Sequence, residues 1–126
     1  MKALLLILSL LLAAPAYAED RGKIAVAAEG KSVTAKVSGV AARSPYFLIF
    51  DGTGALSEAI DNPYKAAKGG AGSSVVPFLA QKGVTFVVAG EFGKNMIQAM
   101  TAKGIGYFEF RGSAEMALKK ALEAIK

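Results

Sequence analysis

One stretch constrains the fold more than any other: residues 69–94, GGAGSSVVPFLAQKGVTFVVAGEFGK. It reads as a glycine turn, a helix, a strand and a second glycine turn. The strand, 84–89, is almost wholly apolar, the pattern of a central strand covered on both faces. A strand of that kind needs helices on either side of its sheet, which points to an α/β layer fold. Both glycine turns lead into helices. The first amides of a helix lack intrahelical acceptors, and its dipole favours negative charge there. Two such starts in one small domain predict a cleft that accepts an anion. The same glycines also serve, without any ligand, as tight turns and as sites of close helix–strand packing.

The helix inside this stretch carries Val75, Val76, Leu79 and Ala80 on one side. Pro77 is tolerated only in a first turn, where its missing N–H costs nothing. The expectation is therefore a helix near 74–82 that starts no earlier than Ser73, with Ser73 or Ser74 as N-cap and Gly83 just past its end; the alternative is an earlier start at Ala71 with a bend at Pro77. Downstream, 94–103 predicts a helix with Met96, Ile97 and Met100 inward, closed by Gly104. A strand over 105–110 follows. Ser113 then caps a helix over 113–125 striped by Ala114, Ala117, Leu118, Ala121, Leu122 and Ile125. This alternation implies right-handed crossovers, with the strands containing Ile24, Val87 and Tyr107 parallel.

The first half is hairpin-like. Residues 23–28, KIAVAA, form the first strand, and 33–37 alternate enough to suggest a short second one. Residues 38–44 make a loop of small side chains with one charge, Arg43. Strand 46–51, YFLIFD, turns at Gly52-Thr53-Gly54 and returns antiparallel over 55–60, ended by Asn62-Pro63. The expected architecture is one α/β domain with a mixed sheet.

Residues 1–18 read as a secretion signal. Lys2 supplies the positive start, 3–14 is apolar except for Ser9, and Ala16-Tyr17-Ala18 has the small-x-small form of a cleavage site. The apolar run falls short of the roughly 20 residues a spanning helix needs. Cleavage after Ala18 is expected, giving an exported, periplasmic domain over 19–126 with no membrane span.

What the chain lacks narrows its chemistry. It contains no cysteine and no histidine. Thiolate ligation of zinc, copper or an iron–sulfur cluster is thereby removed, as are the commonest metal ligand and the commonest general base. Lys and Arg number 15 against 10 Asp and Glu, scattered along the chain. No basic stripe with interleaved aromatics exists, so nucleic acid is not an expected partner. A mild attraction for anionic ligands is what the charge supports.

Six short motifs, in order, then become specific. They are Ile24-Ala25-Val26-Ala27, Val37-Ser38, the run from Arg43-Ser44-Pro45 to Asp51, Asn62-Pro63, Gly69-Gly70-Ala71-Gly72, and Val87-Val88-Ala89-Gly90-Glu91-Phe92-Gly93. Together the motifs resemble the dinitrogenase iron–molybdenum cofactor biosynthesis family, which includes NifX and the C-terminal domain of NifB. The resemblance implies a ribonuclease H-like α/β fold with a five-stranded mixed sheet flanked by helices. It also implies a non-enzymatic carrier of iron–sulfur or iron–molybdenum cluster precursors. Where the family usually reads histidine, phenylalanine, glycine and arginine, this chain has Val40, Ala41, Ala42 and Arg43.

The implied cofactor-binding residues are Ser38, Arg43, the turn Gly69, Gly70, Ala71, Gly72 and Ser73, and the turn Gly90, Glu91, Phe92 and Gly93. Main-chain amides of 69–74 and 93–95 would cradle an anionic cluster or small anion, with Arg43 pairing its charge. Plainer roles are open for several of them: a solvated surface charge for Arg43 and Glu91, and backbone caps for Ser38 and Ser73. No residue is identified as a metal ligand, and no catalytic residue is expected. The nearest carboxylate group, Asp51, Glu58 and Asp61, lacks the strand-centre placement that two-metal catalysis requires. Asp51 reads instead as a turn cap. A second possible function is an exported interaction module that has lost cluster ligation.

Overall fold

The computed structural model describes residues 22–125, so the secretion-signal reading of 1–18 lies outside the described residues. Five strands form one sheet: β1 (Lys23–Ala28), β2 (Tyr46–Phe50), β3 (Leu56–Asp61), β4 (Val84–Ala89) and β5 (Gly106–Glu109). Their spatial order is β3-β2-β1-β4-β5. Three helices flank the sheet: α1 (Ala71–Gln81), α2 (Lys94–Lys103) and α3 (Ala114–Ala124). β1, β4 and β5 run parallel, and β1–β2 and β2–β3 are antiparallel. The expected mixed α/β sheet, with the strands of Ile24, Val87 and Tyr107 parallel, is what the chain forms.

β1 lies at the centre, and its alternation divides the core. Ala25 and Ala27 join Phe47, Ile49, Val87 and Ala89 beneath Val75, Val76 and Leu79 of α1 and Met96 and Met100 of α2. Ile24, Val26 and Ala28 face the other way, with Leu48, Phe50 and Val88, onto Ala114, Ala117 and Ala121 of α3. The alanines of α3 let that helix sit close to the sheet. Each large side chain buried here contributes roughly 1.5–3 kcal/mol.

Two local expectations are corrected. Residues 33–37 do not form a strand. Lys36 and Val37 make only single bridges, to Ser113 and Ala28 respectively. This segment is spent tethering α3: the Val33 carbonyl accepts from Glu115 N–H and the Ala35 carbonyl from Ala114 N–H, each at 2.8 Å.

The second correction concerns α1. It begins at Ala71, not at Ser73 or later, and neither Ser73 nor Ser74 is its N-cap. Gly70 holds that position, with φ 70°. Pro77 therefore lies inside the helix. Tertiary packing outweighs local proline chemistry here. Ala71 is buried, and Gly72 lies so close to α2 that an added Cβ would stand 3.0 Å from the Met96 nitrogen. Ser73 and Pro77 share the exposed face of α1, so the Ser73 carbonyl that proline leaves unpaired can be hydrated. Ser113, by contrast, caps α3 as expected, its hydroxyl accepting from Met116 N–H at 3.3 Å.

Pro77→Ala restores the missing helical bond at an exposed position. It should stabilise the domain by about 2 kcal/mol, part of the proline penalty being offset by a more flexible unfolded chain. Thermal unfolding checks this as a rise of several degrees in Tm. A fall in Tm would show that Pro77 is needed for the helix as it stands.

Candidate functional site

The connections leaving β1 and β4 diverge. β1 leads towards β2 on one side, and β4 leads through α2 to β5 on the other. In open α/β sheets a crevice opens at such a point, beyond the carboxyl ends of the strands. Here the two connections are laced together. Gly90 N–H donates to the Ser38 carbonyl at 2.8 Å, and Ala41 N–H donates to the Glu91 carbonyl at 3.0 Å. Gly90 admits this approach because it has no side chain: a Cβ would stand 2.8 Å from Gly39 Cα and 2.9 Å from the Gly39 carbonyl oxygen.

An open cleft of about 290 Å³ lies above this joint. Three segments distant in sequence line it: Val40, Ala42 and Arg43; Gly70, Ala71 and Gly72; and Gly93, Lys94, Asn95 and Met96. The first segment is a 3₁₀ turn over Ala41–Arg43, held from below by a buried polar network. Asn62 Nδ2 donates to the carbonyls of Ala42 and Ser44, each at 2.9 Å, and its Oδ1 accepts from Tyr64 N–H. Ser44 Oγ donates to the Ala28 carbonyl at 3.2 Å.

The other two segments are helix starts. The N-caps of α1 and α2 are Gly70 and Gly93, and neither start has a side-chain cap or an acidic residue in its first turn. The first intrahelical bonds run from Ser74 N–H to Gly70 and from Ile97 N–H to Gly93, each at 3.0 Å. The amides before them, on Ala71, Gly72, Ser73, Lys94, Asn95 and Met96, have no hydrogen-bond acceptor among the described residues. Both dipoles thus bring uncompensated positive ends to one place. The only charged side chains lining the cleft, Arg43 and Lys94, are cations.

The residues predicted from sequence divide accordingly. Arg43, Gly70, Ala71, Gly72 and Gly93 line the cleft. Ser38 and Gly90 are buried behind it as the joint itself. Phe92 is buried too, its ring 5.0 Å from that of Tyr107. Gly69 and Ser73 are exposed outside the lining. Glu91 turns away towards Arg111, 3.9 Å distant, so its carboxylate does not oppose an anion in the cleft. Val40, Ala42 and Asn62 were not singled out from sequence as site residues. The signal for the first two was their place in the loop beside Arg43.

Arg43 has a second task. Its Nη1 donates to the Lys65 carbonyl at 3.4 Å and to the Ala67 carbonyl. The arginine thus clips the segment leading into Gly70, while its remaining donors stay available. The carboxylates form no competing centre. Asp51 Oδ1 accepts from Thr53 N–H at 2.9 Å, Thr53 Oγ1 at 2.6 Å and Ala55 N–H at 3.1 Å. The bond from the Thr53 hydroxyl, then the backbone amides, hold Asp51 below its ordinary pKa. Glu58 is paired with Lys82 at 3.1 Å. No group of three or more Asp, Glu, His or Cys among the described residues is placed to hold a metal ion.

A family model, dinitrogenase iron–molybdenum cofactor, matches residues 22–124. The chain belongs to that family. Among solved structures, the apo form of the orange protein from Desulfovibrio gigas is similar at 28% identity and a TM-score of 0.75, covering 82% of this chain and 89% of its own. A candidate NifB protein from Thermotoga matches at 30% identity and a TM-score of 0.70, covering 82% and 90%. A dinitrogenase-like protein from Methanocaldococcus jannaschii, at 13% identity and a TM-score of 0.55 with coverage of 82% and 90%, shares the fold. No curated protein matches the sequence. In this family member the cleft falls where the two glycine turns and the arginine loop converge.

Gly90→Ala should cost about 1–3 kcal/mol, because the added methyl meets backbone that cannot yield. Gly93→Ala should cost under about 1 kcal/mol, since φ is −72° and no atom lies within 4 Å of the new Cβ. Urea unfolding of the two variants measures the difference. Equal losses would mean the joint at Gly90 is not the constraint described.

Proposed function

We propose that this protein is a non-enzymatic carrier of an anionic iron–sulfur or iron–molybdenum cluster, or a related anion, held in the cleft between the starts of α1 and α2. The observation that carries this reading is the pairing of two glycine-capped helix starts with Arg43 and Lys94 in a cleft lined by no carboxylate. Family membership supplies the class of cargo.

The chain offers no cysteine or histidine, and the Met96 side chain is buried in the core. These residues therefore fit a cluster gripped through its outer, electron-rich atoms, not one bonded to the protein through iron. The amides of Ala71, Gly72, Lys94 and Asn95 would donate to those atoms, and Arg43 and Lys94 would offset the charge. Nothing in the cleft need move a proton or attack a bond, which is why the reading is a carrier. The leader over 1–18 extends the proposal: the carrier works after export, in the periplasm, and intact-mass measurement of the purified N-terminus tests cleavage after Ala18.

Anaerobic incubation with an iron–sulfur precursor followed by gel filtration should leave cluster absorption with the protein. Gly93→Asp places a carboxylate at the N-cap of α2. It should keep the fold, stabilise it by a few tenths of a kcal/mol and abolish retention. Arg43→Ala should weaken binding by roughly 1.5–3 kcal/mol, the scale of a bond to a charged group. It should also cost about 1 kcal/mol of stability by releasing the 65–67 segment. Full retention by both variants would overturn the cleft as the site. Failure of the wild type to retain any cluster would leave the interaction-module reading.

A further inference from the structure

Two segments at the cleft hold each other by crossed hydrogen bonds. Asn62, buried just past β3, reaches the carbonyls of Ala42 and Ser44 on either side of Arg43. Arg43 reaches the opposite way, its Nη1 donating to the carbonyls of Lys65 and Ala67. The backbone that carries Arg43 is thus pinned, and what its guanidinium can vary is the grip on 65–67.

That gripped segment is anchored at its ends and loose between them. At one end Asn62 is buried, and the Tyr64 ring stands edge-on to Phe78 with 6.0 Å between centroids. At the other end Ala71 is buried at the start of α1. Between them Lys65, Ala66, Lys68, Gly69 and Gly70 are exposed. The amides of Ala66, Lys68, Gly69 and Gly70 have no acceptor among the described residues. Arg43 makes the only side-chain hydrogen bonds to 65–70 found among those residues. Gly69 and Gly70 meet no atom where a Cβ would stand, and Gly70 has φ 70°, so the end beside α1 is free to hinge.

We infer that residues 65–70 are a strap that closes when an anion occupies the cleft, with Arg43 as the coupling residue. The inference rests on the carrier proposal, which supplies the anion. A guanidinium has five N–H donors, of which Nη1 carries two. With Nη1 turned to the strap carbonyls, Nε and Nη2 keep the parallel pair of donors that grips an anion bidentately. Neither has a protein partner among the described residues, and Arg43 lines the cleft. One planar group thus holds the strap with one nitrogen and offers the anion another edge. An exposed arginine bonded only to carbonyls is held modestly, because water competes and the side chain gives up rotamer freedom. An anion on the free edge restricts that same side chain, so the strap bonds form at a lower entropic cost. The linkage is reciprocal: the closed strap tightens the anion by the factor with which the anion closes the strap. A lysine has a single ammonium and no second edge.

Limited trypsin digestion, with the fragments identified by mass spectrometry, tests this. The probe is a thiol-ligated iron–sulfur cluster prepared anaerobically from ferrous iron and sulfide, at saturation. Lys65 and Lys68 are exposed on the strap, and Lys31, exposed in the loop after β1, is an internal reference outside the cleft. Cutting of a locally opening segment follows how often it opens. The cluster should slow the cuts after Lys65 and Lys68 at least about fivefold, the lower end of coupling between sites, and leave the cut after Lys31 unchanged. Without cluster, Arg43→Ala should speed the strap cuts roughly fivefold by removing the clip. Arg43→Lys, brought to equal occupancy with more cluster, should gain less than about twofold protection. Cluster retained on gel filtration with strap cuts unchanged or faster would overturn the strap and leave the carrier proposal standing. So would full protection in Arg43→Lys, or cluster-free strap cuts indifferent to Arg43→Ala. No retention of cluster by the wild type would overturn both.

Discussion

The close contact of two backbones, at Gly90 against Ser38 and Gly39, is what the candidate cleft depends on. β1 and β4 lie side by side, but their connections depart in opposite directions, and nothing in the sheet itself would hold those connections together. The Gly90 N–H to Ser38 carbonyl bond and the Ala41 N–H to Glu91 carbonyl bond do so. With the loops laced, the 3₁₀ turn carrying Arg43 is brought over the sheet end, and the start of α2 is fixed beside it. Gly72 packed on Met96 completes the arrangement by drawing α1 against α2. The cleft is the space these contacts leave.

Electrostatics follows from that placement. Helices that start at glycine, with no acidic residue in the first turn, leave their amides unpaired where most helices would cap them. One such start is unremarkable. Two converging, with an arginine and a lysine at the rim and the one nearby glutamate directed to Arg111, make a region suited to negative charge. The absence of thiol and imidazole then separates recognition from coordination. On the proposed function, a cargo here would be gripped by hydrogen bonds and charge, not by bonds from side chains to metal.

The sheet was legible in the sequence because its strands are strongly apolar and its turns carry glycine, proline or asparagine. The strands at Ile24, Phe47, Val87 and Tyr107 and the capped helix after Ser113 all needed only local rules. The errors arose where tertiary contact overrode those rules. Pro77 argued for a late start to α1, but burial of Ala71 and the Gly72–Met96 contact extended the helix to residue 71. Residues 33–37 alternate like a strand but are used to tether α3. At the candidate site, the glycine turns and Arg43 could be read from motif and chemistry, whereas Asn62 could not. Its role depends on carbonyls at 42 and 44, which come near only once the chain is folded.

The central claim is that unpaired main-chain amides at two helix starts grip an anionic cluster. The direct measurement is a titration of the ¹⁵N-labelled protein with an iron–sulfur precursor, following each backbone amide by NMR. The account predicts that the amides of Ala71, Gly72, Lys94 and Asn95 shift or broaden first, together with the Arg43 side chain, while Phe86, Tyr107 and Phe108 stay unchanged. Perturbation centred on any other part of the surface, or none at saturating cluster, would contradict it.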